Sequence, residues 1–295
     1  MTPGSRRHAT GVLILTASTL AYSTAGLFTR LIALDAWTML FWRGAFAGLF
    51  LAGVLLVQRR GRPARLALPR WPDLAIAAAS SCGMIFYIHA LRQTSVADVA
   101  VIYAILPFVA AILAFVLLGE RPGRSTLAAG GLALAGMAVM VGDSLGAGSL
   151  AGDLLALGMT ISVSLVMVLA RRHRNGSMIG AACLSSFLTA LLAGPMASPL
   201  QVGAAELGLL ALFGVSQLGL GLLLLLVGSA RLPPAEAALI GSLDVPLAPL
   251  WIWFAFGTLP STGALVGGSI VLAAVVGNIL AENRASVPAA SAASQ

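Results

Sequence analysis

Residues 90–120, ALRQTSVADVAVIYAILPFVAAILAFVLLGE, return later in the chain as residues 230–258, ARLPPAEAALIGSLDVPLAPLWIWFAFGT. Each copy ends one apolar run, turns tightly, and enters a second apolar run interrupted by proline: Pro107 in the first copy, Pro246 and Pro249 in the second. Each then stops at a glycine. Arg92 lies 27 residues before Gly119, and Arg231 lies 26 before Gly257. A Ser-Thr pair follows in both (Ser125-Thr126 and Ser261-Thr262), and then a helical pattern carrying Gly-Gly (Gly130-Gly131 and Gly267-Gly268). Recurrence at this spacing implies a duplication of about 140 residues. The chain divides accordingly into a first repeat, 1–145, a second, 146–285, and a tail, 286–295, whose Ala, Ser and Pro content predicts disorder.

Around these two stretches the chain is a succession of apolar runs, at 11–29, 36–57, 72–92, 97–118, 125–142, 150–170, 178–198, 206–229, 233–256 and 261–281. Hydrophobic residues make up 59% of the 295 and charged residues 9%. A soluble domain carries about 25% charged residues, so lipid must cover most of this surface. A bilayer span takes about 20 apolar residues, and helices satisfy their own backbone groups in hydrocarbon. The expected fold is therefore all-α and polytopic, with ten transmembrane helices. Five helices per repeat is an odd number, so the second copy enters the membrane inverted. Inverted repeats are a signature of secondary transporters, whose substrate site lies near the midplane between the halves.

All 17 basic residues are arginines. With the N-terminus cytoplasmic, 14 fall inside (Arg6, Arg7, the 59–70 cluster, Arg121, Arg124, 171–174, Arg231, Arg284), two fall outside (Arg30, Arg92), and Arg43 lies within a helix. This split follows the positive-inside rule and places both termini in the cytoplasm. It also explains the net charge of +7 without nucleic acid. The apolar run at the N-terminus continues past Tyr22 with no small-x-small cleavage site, which predicts a retained first helix. Cys82 and Cys183 lie in apolar runs as small hydrophobes, with neither disulfide nor zinc spacing. No cofactor or metal is expected. There is no H-E-x-x-H, and without lysine there is no Walker A loop, so neither a zinc protease nor an ATP-driven pump is expected.

The turn-helix-LLGE segment at 117–120, with its weaker second copy, resembles EamA-type members of the drug/metabolite transporter superfamily over residues 11–281. AYSTAGLFTR at 21–30 is similar to the first helix of the YddG-type aromatic amino-acid exporters. In the family an acidic residue often stands thirteen positions before the closing glycine of the second copy, and Asp244 stands so before Gly257. The proline usual directly after that acid is displaced to Pro246, and the Glu usual after the glycine is Thr258. The resemblance implies a multi-pass protein of a bacterial inner membrane that exports amino acids, aromatic and other neutral, or similar small metabolites by alternating access. A multidrug or cationic-compound exporter and a channel-like facilitator are the alternatives.

Charge inside a bilayer is costly, and marks function or a paired partner. Asp244 lies roughly 16 Å into its helix at 1.5 Å per residue, as a receiver for a substrate ammonium or a coupling proton, or else paired to Arg43 or satisfied by helix backbone near the proline break. Arg43, roughly 10 Å deep, either grips a carboxylate with its planar fork or pairs within the bundle. His89 and Tyr87 are two apart and point to nearly opposite sides of a helix, so one cavity cannot take both; His89 is the candidate cavity residue, with packing at the membrane edge as its alternative. Tyr22, Tyr103 and Gln217 complete the candidates, Tyr103 sharing the face of Pro107, where a helix break frees carbonyls for a polar ligand. The cavity is expected between the third, fourth, eighth and ninth helices, flanked by the first and sixth. The five tryptophans are expected in an interfacial belt.

Overall fold

A computed structural model describes residues 3–58, 70–94, 96–141, 149–173, 177–257, 259 and 262–285; the expected tail at 286–295 lies outside them. Regular structure in the described residues is helical throughout. The first apolar run forms α1 (Pro3–Ser23) and, after a break at Thr24, α2 (Ala25–Leu31). It is followed by α3 (Ala36–Gln58) and α4 (Trp71–Gln93), then by α5 (Val96–Ala104), α6 (Leu106–Leu118) and α7 (Arg124–Val141). The second half opens with α8 (Leu150–Arg172) and α9 (Met178–Ala193), then α10 (Ala204–Phe213), a π-helical segment (Gly214–Leu220) and α11 (Gly221–Ser229). It closes with α12 (Pro234–Gly241), α13 (Asp244–Phe256) and α14 (Thr262–Ala285). Among the described residues eight helices are long and apolar enough to cross a membrane, and Leu106–Leu118 and Arg124–Met140 are shorter apolar helices.

The breaks fall where backbone bonding fails, and not at the prolines themselves. Proline lacks an N–H and clashes with the carbonyl four residues back, so the interruption lies upstream of it. Ile105 separates α5 from α6, and Pro107 is already in the first turn of α6. Ser242 and Leu243 separate α12 from α13, with Pro246 in the first turn of α13. Pro249 was expected to break its helix; instead α13 runs through it to Phe256. The two halves then end alike. Gly119 (φ 70°) and Gly257 (φ 68°) take the left-handed conformation at the ends of α6 and α13, where a Cβ would be strained, and their N–H groups bond to Phe115 and Trp253.

Lipid offers little hydrophobic drive between helices, so small residues set the packing. α3 lies along α9 and α7 along α14, with α4 on α8 and α1 on α11. A Cβ at Gly44 would come within 2.8 Å of the Ser186 carbonyl, and one at Gly136 within 2.8 Å of the Gly267 carbonyl. Buried hydroxyls turn back on their own helix: Thr160 donates to the Ala156 carbonyl, Ser164 to Thr160 and Ser186 to Ala182. Large apolar side chains such as Leu13, Ile112 and Phe254 stand on the outer surface, as a lipid-facing surface requires.

Candidate functional site

Three helices present side chains at helical spacing to one cavity of about 660 Å³. Ser80, Gly83, Met84 and Tyr87 form the stripe of α4, and Ser18, Thr19, Tyr22 and Ser23 that of α1. Gly241, Asp244, Val245, Ala248 and Ile252 form the stripe that crosses the break between α12 and α13. Spacings of three and four residues keep such side chains on one face. Tyr103 enters from the end of α5 just before the break, Arg43 from α3, and Gln217 from the π-helical segment. Met84, Met140, Met159 and Met167 supply much of the apolar lining.

Five of the six side chains expected at the site, Tyr22, Arg43, Tyr103, Gln217 and Asp244, thus line a single cavity. His89 does not belong to its lining. The His89 ring packs edge-on against Trp37 at 4.8 Å, at the start of α3, and Tyr87 takes the cavity face in its place. The 80-83-84-87 stripe of small and polar residues was the signal for Tyr87, since His89 is out of its register. The Trp251 indole N–H donates to Ser23 Oγ at 2.8 Å, tying α13 to α1.

Close backbone approach holds Arg43 and Gln217. A Cβ at Gly214 would lie 2.6 Å from the Arg43 carbonyl, and one at Gly219 would meet the Phe50 ring at 3.0 Å. Helix α3 therefore lies directly on the π-helical segment, a local widening that frequently marks functional sites. The Arg43 side chain is 3% exposed, with its guanidinium carbon 4.9 Å from the centre of the Phe213 ring and Nη2 on Met84 Sδ. Nε has no partner. On the opposite side of the sequence repeat, Asp244 opens α13, where the helix dipole favours a carboxylate, and its Oδ1 also lacks a partner. The Gln217 Oε1 is likewise unbonded. Arg43 and Asp244 form no ion pair with each other or with any described residue, while backbone N–H groups at Asp244 and Val245 bond to the Asp244 carboxylate at the start of α13.

At one end the cavity lining includes the exposed Leu259. There it also reaches Gly26, Met140 and Ala264. At that end the Arg30 guanidinium carbon lies 4.7 Å from the centre of the Phe256 ring. Towards the other end the lining stops at Met167, Leu225 and Gly241. Beyond it the helices close on each other, with Gly11 against Arg231 and Leu232, and the side chains of Arg171 and Arg172 reaching Glu120 and the Leu117 carbonyl.

Residues 9–142 match the EamA-like transporter family. That match likens the first part of the chain to transporters of the drug/metabolite superfamily. A crystal structure of a protein 20% identical in sequence superposes with a TM-score of 0.79, covering 94% of this chain and 98% of that one, so the two share a fold. None of the curated proteins compared matches this sequence.

Proposed function

We propose that this protein is a secondary transporter that exports neutral and aromatic amino acids by alternating access, as in the YddG-type exporters its first helix resembles. One observation carries the reading: two side chains of opposite charge, Arg43 and Asp244, face one cavity without pairing, each with an unbonded polar atom. An uncompensated buried charge is strongly destabilising. Both charges are explained if a zwitterionic substrate completes them, its ammonium on Asp244 and its carboxylate on Arg43. Tyr22, Tyr87, Tyr103 and the four methionines then surround its side chain. The volume lies within the 300–1,000 Å³ usual for small-molecule sites. In reconstituted vesicles phenylalanine and threonine should be taken up saturably, and phenylalaninamide, which lacks the carboxylate, at least tenfold more slowly. Uptake of a quaternary ammonium dye with no movement of amino acids would overturn the assignment in favour of a multidrug carrier.

Transport of this kind rests on ten spans in two inverted repeats, 1–145 and 146–285, with both termini cytoplasmic. The packing supports that arrangement. Exchange of the repeats maps the α3–α9 and α7–α14 contacts onto themselves and the α4–α8 contact onto α1–α11. The arginine split sets the orientation, and the cavity mouth near Arg30 then faces outward. In a variant with Cys82 and Cys183 replaced, a cysteine at Gly203 should react with an impermeant thiol reagent from outside intact cells. A cysteine at His173 should not, and its labelling from outside would sink the inverted arrangement.

A further inference from the structure

At the closed end, His8 Nε2 lies 2.9 Å from Glu236 Oε1 and 3.1 Å from Oε2. The pair joins the first turns of α1 to the first turn of α12 across 228 residues of chain. Glu236 is 2% exposed. It lies outside the cavity and plays no part in holding the substrate proposed above. A second ion pair, Arg171 to Glu120 at 3.3 Å, lies at the same end, but Glu120 is 38% exposed and water screens it. Both pairs connect the first half of the chain to the second.

We propose that the His8–Glu236 pair is the latch of the closed end, the contact that must break before the cavity can open there, and that Asp244 is mechanically linked to it. The linkage is α12 itself. Glu236 stands at its start, Gly241 at its end lines the cavity, and Asp244 follows across the two-residue break at Ser242 and Leu243. From Glu236 to Gly241 the half-helix spans about 7.5 Å, a rigid rod with a hinge at the substrate end. Such hinges, at the termini of elements, are where domain closures are absorbed. A substrate that draws Asp244 inward therefore tilts α12 and pulls on Glu236. With a carboxylate this buried, loss of its histidine is costly, so the closed end opens or stays shut as a unit. The Arg171–Glu120 pair, more exposed, contributes little to that decision. Around α12, α6 and α11 bring no charged side chain, α7 brings Arg124, and α8 carries Asp153, Arg171 and Arg172.

The latch rests on the transporter reading only for its purpose, and the experiment separates the two. In the cysteine-replaced background, His8→Cys with Glu236→Cys is bridged by a short, cleavable bifunctional thiol reagent. Bridging should slow phenylalanine transport at least tenfold against the same unbridged protein, and cleavage should restore it. Bridged protein that transports within twofold of the unbridged control overturns the latch. The second arm needs no substrate. A cysteine at Gly241 is probed with an impermeant thiol reagent applied only from the His8 side of sealed vesicles. Glu236→Gln and His8→Ala should each raise its labelling rate at least fivefold, and Glu120→Gln less than twofold. Equal rates in all three variants and the parent overturn the proposal even if no amino acid is ever transported. If labelling behaves as expected while phenylalanine does not move, the latch stands and the substrate assignment falls.

Discussion

Asp244→Asn will leave a folded protein that transports phenylalanine about a hundredfold more slowly. The substitution keeps the size of the side chain and most of its hydrogen-bonding capacity and removes its charge. Truncating one side of a buried charge pair costs about 2–5 kcal/mol, and about 2.8 kcal/mol corresponds to a hundredfold in an equilibrium constant at 1.4 kcal/mol per tenfold. No ion pair among the described residues is lost, because Asp244 has none there. The thermal midpoint in detergent should therefore stay unchanged or rise. The measurement is substrate counterflow across a pH series, beside a melting curve. Normal counterflow at every pH would remove Asp244 from the site. A collapse in folded yield, with Asp244→Glu restoring yield and no transport, would assign the carboxylate to holding the break between α12 and α13.

Much of this site was legible in the sequence because membrane helices obey few rules. Length and hydropathy set the apolar runs, and the described helical stretches begin within two residues of them except the first, which begins at Pro3 and not at 11; eight of them are long and apolar enough to cross a membrane. Charge at membrane depth is rare enough that Arg43 and Asp244 stood out by themselves, and both line the cavity. Side-chain direction was harder. Two residues apart on a helix decides between cavity and packing, yet nothing local separates Tyr87 from His89 without the register of the whole stripe. The break at Thr24 and the π-helical segment at 214–220 were invisible. At the first, the Ser23 and Thr24 hydroxyls donate back to the Leu20 and Ala21 carbonyls; at the second, Gly214 lies directly on the Arg43 carbonyl. Pro249 shows the reverse failure. A proline signals a lost hydrogen bond, yet α13 continues through Pro249 to Phe256. The His8–Glu236 contact escaped because its partners lie at opposite ends of the chain.

Arg43 decides which molecules are carried, so its removal should change selectivity more than rate. In Arg43→Gln the substrate carboxylate meets an uncharged wall, and phenylalanine transport should fall by about fiftyfold, equivalent to roughly 2.4 kcal/mol. Phenylalaninamide makes no use of the guanidinium fork and loses a repulsive neighbour for its own positive charge, so its rate should hold or rise. The acid-to-amide preference then collapses from at least tenfold to about one or below. Arg43→Lys keeps the charge but not the planar, bidentate geometry, and should fall between the two. Phe213 beneath the guanidinium and Met84 beside it are apolar, and a glutamine leaves both packed, so the helix contact through Gly214 should survive. The test is competition between the acid and the amide at a fixed pH, with folded protein quantified in each sample. A parallel loss of both substrates would mean that Arg43 holds α3 against the π-helical segment and reads no carboxylate. A selective loss of the acid, with the amide unchanged, is the result the unpaired guanidinium requires.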